Sequence, residues 1–225
     1  AHGRPCLDMG ARRGHERAAV SAARAAVIGG FAGTSDLESA KRYGIPAIGT
    51  AAHAFTLLHD SERQAFDAQI ASLGPSTTLL VDTYNVTEGV KTAVEAARAA
   101  GGELGAVRLD SGDLVAQAFT VRGQLDSLGA TSTKITVTSD LDEYAIAALG
   151  AAPVDSYGVG TRLITGSGVP TAALVYKLVS RENHEGTMVG VAKKSASKNT
   201  VAGKKYAGRL YDEDGYASEE VLVTG

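Results

Sequence analysis

The chain has 225 residues, a formal net charge of −3, 21% charged residues and 44% hydrophobic residues. That balance excludes a disordered polyelectrolyte and argues against a general nucleic-acid binder, which carries a basic surplus. No stretch approaches the roughly 18 uninterrupted apolar residues of a membrane helix, and the single Cys6 excludes an intramolecular disulfide, so a soluble, cytoplasmic protein is expected. Ala and Gly together supply 65 of the 225 residues, Trp is absent, and aromatics reach only 5%. The sequence opens at Ala1 with no apolar signal core behind it, and it is expected to be a piece of a longer chain.

Strand-like and helix-like segments alternate along most of the length. Apolar residues at 18, 19, 22, 23, 26 and 27 form a helical stripe over 13–28, stopped by Gly29-Gly30. An extended piece follows at 31–34. Ser35-Asp36-Leu37-Glu38 reads as a capping box with Ser35 as the cap of a short helix that ends at Gly44. The spacing then predicts a strand at 45–50, a helix at 56–73, a strand at 78–81 and a helix at 87–100. Next come a strand at 104–109, a helix at 114–128 and a strand at 134–138. Asp140-Leu141-Asp142-Glu143 reads as a second capping box, with Asp140 as the cap. The last strand of the series is 154–159.

Buried strands with helices between them imply a parallel sheet under right-handed crossovers. The series is read as an α/β, TIM-like (β/α) barrel, incomplete because a full one takes about 250 residues. An open doubly wound sheet is the alternative. Two domains are expected: a barrel-like catalytic domain over 1–170, and a truncated β-rich flap or partial second domain over 171–225. In the second, 172–180 and 187–192 read as strands around the turn Glu182-Asn183-His184-Glu185-Gly186. Lysines 193, 194, 198, 204 and 205 and the acidic turn Asp212-Glu213-Asp214-Gly215 follow.

Ligands of a parallel barrel bind at the carboxyl ends of its strands. Those ends hold Thr34-Ser35, Gly49-Thr50-Ala51-Ala52-His53, Asp82-Thr83-Tyr84-Asn85, Arg108-Leu109-Asp110, Ser139-Asp140 and Gly158-Val159-Gly160-Thr161-Arg162. Each has a plain structural explanation. Ser35 and Asp140 suit helix caps, His53 a buried structural histidine, and Arg108 with Asp110 an ion pair. Their coincidence on one end favours a shared site. Small residues in 158–161 let backbone N–H groups approach an anion, and Thr161 adds a hydroxyl. A phosphorylated small substrate follows, with Arg12, Arg13, Arg108 and Arg162 expected to make the site locally positive.

Taken in order, Asp8-Met9-Gly10-Ala11-Arg12-Arg13, Gly33-Thr34-Ser35, Gly49 to His53, Val81-Asp82-Thr83-Tyr84, Arg108 to Asp113, Thr138-Ser139-Asp140 and Tyr157 to Thr161 resemble nicotinate phosphoribosyltransferase, of the type II phosphoribosyltransferase group. Tyr176 to Val179 and Ala192-Lys193-Lys194-Ser195 extend the match. The resemblance implies that nicotinate and phosphoribosyl pyrophosphate give nicotinate mononucleotide and pyrophosphate, with coupled ATP hydrolysis and Mg²⁺ on the pyrophosphate. It implies that His53 accepts the phosphoryl group of ATP, and that Asp82 and Asp110 lie near the ribose or the metal-bound pyrophosphate. Arg108 would face the nicotinate carboxylate and Arg12 would hold phosphate. Ser139, Asp140, Gly158, Gly160 and Thr161 would bind ribose 5′-phosphate, with Thr83 beside the substrate. Ser35 stands where nicotinamide-specific relatives carry an aspartate, which favours the acid over the amide. It further implies a homodimer whose partner completes the site, and a length near the middle half of the family's.

Two positions depart from the family pattern. Met9 replaces a ring-stacking Phe, and Ser139 replaces a Gly, bringing a Cβ close to the phosphate. A nicotinamide or quinolinate transferase, or a non-catalytic phosphate-binding barrel, remains the alternative. His53 speaks against the quinolinate enzyme, which uses no phosphohistidine.

Overall fold

The computed structural model describes residues 1–166, 175–195 and 200–225. Its centre is one six-stranded sheet in the order β2-β1-β6-β5-β4-β3. The strands are β1 (Cys6–Asp8), β2 (Gly33–Thr34), β3 (Thr78–Leu80), β4 (Ala106–Leu109), β5 (Lys134–Val137) and β6 (Ser156–Val159). Every pairing in this sheet is parallel. The order follows the chain cyclically, with one break between β2 and β3. A doubly wound sheet instead reverses its order at a switch point. The architecture is therefore a curled, barrel-like parallel sheet with an open seam.

The expected strand at 45–50 lies at that seam. It contributes only an isolated parallel bridge from Ala47 to Thr34. β1 escapes the periodicity because three residues are too few to show one. Asp8, fully buried, ties β1 to β2: its carboxylate accepts from the Thr34 hydroxyl at 2.6 Å and from the Gly10 amide at 2.8 Å.

The helices are α1 (Glu16–Ile28), α2 (Leu37–Tyr43), α3 (His53–Leu57), α4 (Glu62–Leu73), α5 (Val86–Ala99), α6 (Leu114–Ser127), α7 (Glu143–Ala148) and α8 (Thr161–Thr165). The abundant alanines form contact faces: Ala19, Ala23 and Ala26 of α1, and Ala93, Ala96 and Ala97 of α5, are buried. Small side chains bring helix axes close to the sheet. At Gly89 of α5 a Cβ would lie 2.4 Å from the Val81 carbonyl oxygen, so only glycine fits there. The strands supply Leu79, Val107, Leu109, Ile135, Val137 and Tyr157, all fully buried.

Several boundaries differ from the sequence reading, each for a local reason. α1 starts at Glu16, because Gly14 is extended and Ala11–Arg13 form a separate 3₁₀ turn. The cap of α2 is Asp36, whose carboxylate accepts from the Ser39 amide at 2.7 Å, whereas the Ser35 amide donates to the Asp8 carbonyl. The cap of α7 is Asp142, which accepts from the Tyr144 and Ala145 amides, and not Asp140. The helix expected over 56–73 is two helices, because Ser61 caps α4 afresh and His59 turns back onto the Phe55 carbonyl.

Beyond the sheet, β7 (Ser180–Glu182) and β8 (Met188–Gly190) form one antiparallel hairpin. Its turn is held by Asn183, whose side chain accepts from the Glu185 and Thr187 amides at 2.9 Å. β9 (Lys205–Tyr211) and β10 (Ala217–Thr224) form another. Residues 172–174 of the expected first strand, Lys198 and the domain boundary at 170/171 lie outside the described residues.

Candidate active site

The carboxyl ends of the strands face a cleft with two connected hollows. The larger, about 350 Å³, is lined by Arg12, His53, Arg108, Asp110, Tyr176 and Lys193 among others. The smaller, about 140 Å³, is lined by Met9, Arg12, Arg108, Asp110, Ser139, Asp140, Gly158, Gly160 and Thr161. Nearly every residue singled out from the sequence therefore meets in one place. Asp82 and Thr83 lie buried immediately behind His53. Ser35 sits at the end of β2 and lines neither hollow. Arg162 lines a separate hollow with Cys6 and Leu163, so of the four arginines Arg12, Arg13 and Arg108 make the lining positive, joined by Lys177 and Lys193.

His53 opens α3, and its imidazole is gripped on both sides. Nδ1 is 3.1 Å from the Thr83 hydroxyl, and Nε2 is 2.9 Å from the Lys193 ammonium. A lysine ammonium can only donate and a hydroxyl can do either, so Nδ1 finds a partner in Thr83 in either tautomer, while Nε2 faces both a donor and carboxylates. Nε2 also lies 3.5 Å from Asp82 Oδ1 and 3.7 Å from Asp110 Oδ2. Asp82 is held from the other side by the Asp110 amide at 3.1 Å and the Ser111 hydroxyl at 2.7 Å, both on Oδ2. Its Oδ1 is buried with no hydrogen-bond partner among the described residues.

Arg108, on β4, is held at three of its five N–H groups. Nε donates to Thr138 at 2.9 Å, Nη1 to Thr50 at 2.6 Å and Nη2 to Asp110 at 2.9 Å. The Thr138 hydroxyl donates onward to the same Asp110 oxygen at 2.5 Å. Burial alone would raise the Asp110 carboxyl. The hydrogen bond from His53, the Arg108 guanidinium and the Thr138 hydroxyl outweigh it and hold the group well below the usual carboxylate range. Asp110 is therefore a fixed negative charge at the centre of the cleft. Burial, then the neighbouring Arg13, push the Arg12 guanidinium down from its ordinary value, as expected where cations crowd a site built for an anion.

The smaller hollow explains its glycines. A Cβ at Gly158 would lie 2.5 Å from Thr138 Cγ2 and 2.7 Å from Met9 Sδ, and one at Gly160 would lie 3.1 Å from the Met9 carbonyl oxygen. The glycines thus make room for Met9 and the β1 loop. Ser139 has φ of 101° and Asp140 has φ of 36°, the left-handed region that residues with a Cβ avoid. Such strain is concentrated at functional sites.

Sequence reasoning missed three contributors. Lys193, inside the quoted motif Ala192 to Ser195 but given no role there, is buried and arrives from a segment 140 residues after His53. Thr50 and Thr138 lay inside quoted motifs, but only the folded geometry places them on Arg108. Glu62 is the fourth notable group. Burial first, then the negative charge of Asp82, push its carboxyl up to about 7, and its Oε1 is buried without a partner among the described residues.

Comparison with known proteins agrees with this geometry. The model of the nicotinate phosphoribosyltransferase (NAPRTase) family matches residues 5–218. A nicotinate phosphoribosyltransferase of Mycobacterium tuberculosis is 56% identical over 230 residues, covering 99% of this chain and 50% of that protein. One from Bacillus subtilis is 40% identical over 221 residues, covering 95% of this chain and 45% of the relative. Among solved structures, the nicotinate-nucleotide pyrophosphorylase of Pyrococcus furiosus has a TM-score of 0.65 at 29% identity, over 98% of this chain and 54% of that one. The nicotinate phosphoribosyltransferase of Porphyromonas gingivalis shares the fold at a TM-score of 0.73 and 21% identity, over 89% of this chain and 57% of that one. The chain spans about half the length of the curated relatives it matches. With its strand-end cleft and these matches together, the chain belongs to the nicotinate phosphoribosyltransferase family.

Proposed function

We propose that this chain supplies the catalytic half of an enzyme that joins nicotinate to phosphoribosyl pyrophosphate, giving nicotinate mononucleotide and pyrophosphate. The observation that carries this is the grouping of His53, Asp82, Arg108 and Asp110 at the strand ends, each held by named partners. Residues 1–170 form the barrel-like catalytic domain in this reading, and 171–225 a β-rich flap or partial second domain. A cytoplasmic homodimer is part of the same reading.

Arg108 takes the carboxylate of nicotinate. A guanidinium suits a planar anion, and two of its N–H groups remain for a ligand. Arg12, the 158–161 loop with Thr161, and the Ser139-Asp140 turn hold the ribose 5′-phosphate. The glycosidic transfer builds positive charge at the anomeric carbon, which the fixed carboxylates of Asp82 and Asp110 stabilise.

ATP is the co-substrate. A ring nitrogen of His53 attacks the γ-phosphorus, the bond to the bridging oxygen of ADP breaks, and water later releases phosphate. Thr83 and Lys193 orient the ring, and the Lys193 ammonium offsets the incoming negative charge.

The unpartnered Oδ1 of Asp82, with Asp110 Oδ2 nearby, fits a Mg²⁺ ion. Mg²⁺ is commonly held by one or two carboxylates plus substrate oxygens. No group of three or more His, Cys, Asp or Glu able to hold a metal occurs among the described residues, so the ion would arrive with its phosphates. When bound it neutralises the departing pyrophosphate.

The test is transfer of label from γ-labelled ATP to the protein expressed from its complete reading frame. Acid-labile label, absent in His53→Ala, is the expected result. Turnover of nicotinate without any label would remove the phosphohistidine step.

A further inference from the structure

The loop before His53 is loosely built. At its start, the Thr34 amide donates to the Pro46 carbonyl at 3.0 Å and the Ile48 amide to the Thr34 carbonyl at 2.9 Å. Beyond Ile48, the hydrogen bond that ties 49–52 to the sheet, among the described residues, is the one between Thr50 and Arg108. The Thr50 hydroxyl donates its own proton to the Ala51 carbonyl at 3.1 Å. Its lone pair is thereby left for the guanidinium, which donates at 2.6 Å.

Arg108 needs such a partner. Thr138 and Asp110 hold its Nε and Nη2 but leave Nη1 without an anchor from β4 or β5. A guanidinium side chain has many rotamers to lose when it is held in one orientation. Its fork is selective for a planar carboxylate only while its plane is fixed. With Thr138, Asp110 and Thr50 in place, three N–H groups are spent, and one remains on each of Nη1 and Nη2.

We propose that Thr50 is a positioning residue for recognition of the pyridine carboxylate, acting through Arg108 and never touching the substrate itself. The inference rests on the proposed function, since it assumes that Arg108 meets nicotinate. Threonine and serine can both supply the lone pair, whereas valine keeps the shape and loses it.

The test compares Thr50→Val, Thr50→Ala and Thr50→Ser in the protein expressed from its complete reading frame. Nicotinate KM and kcat are measured by turnover, and nicotinate affinity by calorimetry. A hydrogen bond to a charged group sets the scale. KM and Kd for nicotinate should rise about tenfold in Thr50→Val and Thr50→Ala, with kcat within about twofold. Thr50→Ser should restore both constants to within about twofold of the parent. Unchanged KM in both truncations overturns the proposal, and so does a loss that Thr50→Ser fails to repair. If the parent protein neither binds nor turns over nicotinate, the functional reading itself falls, a result distinct from a parent that binds while its variants bind equally well.

Discussion

The parallel sheet and the C-terminal hairpins are built on opposite principles. In the sheet, β3, β4 and β5 bury eight of their eleven residues. In the hairpin of β9 and β10, Tyr206, Leu210, Tyr211, Leu222 and Val223 all remain exposed. Yet this second region delivers the buried Lys193 to His53, and its Arg181 donates to the Leu57 carbonyl at 3.1 Å and pairs with Asp60. The lesson is a division of labour. Apolar burial holds the barrel together, while polar anchors at Arg181 and Lys193 attach the second region to α3 and its surroundings. A substitution in the first should cost stability, and one at an anchor of the second should cost chemistry.

The largest expected effect is in the sheet. Leu109→Ala, which empties a fully buried position on β4, should destabilise the fold by about 3 kcal/mol in urea unfolding. A loss of activity without that loss of stability would break the division. Lys193→Ala tests the other side. It should lower kcat by about tenfold, the scale of one charge-assisted contact. Its urea midpoint should move less than that of Leu109→Ala, and the reverse pattern would make Lys193 a structural residue.

Glu62 sharpens the comparison because it lies where the two regions meet, electrostatically linked to Asp82 and, through Tyr84, to Arg181. Its folded carboxyl stands at about 7 against an ordinary 4.5. The folded chain therefore keeps a proton that the unfolded chain releases. Stability should fall as pH rises from about 4.5 to about 7 and level off above, with a slope of at most about 1.4 kcal/mol per pH unit. Glu62→Gln should flatten that slope in pH-dependent thermal melts, and an unchanged slope would place the titration elsewhere. The smallest effect belongs to the exposed hairpin. Leu222→Ser on β10 should change stability by less than about 0.5 kcal/mol, and a larger loss would show that this strand is covered.

Much of the site was legible because parallel sheets put chemistry at strand ends. Once β4 and β5 were recognised, Arg108, Asp110, Ser139 and Asp140 had to face the same side. Ser35 shows the limit. It follows a strand as the others do, but its amide is spent on the Asp8 carbonyl and it lines neither hollow of the cleft. The caps lie one residue after Ser35 and two after Asp140, because several Ser and Asp side chains in a row can each serve and packing selects among them.

Local physics settled the alternation of strands and helices, the alanine faces and the loops that carry charge, since periodicity and stop signals act over a few residues. The tertiary structure decided how the sheet curls, which loops meet and what lies against His53. Lys193 reaches that histidine across 140 residues of sequence, and Thr50 reaches Arg108 across 58. Such contacts depend on sheet register and on how the second region docks, and no short stretch of sequence encodes either.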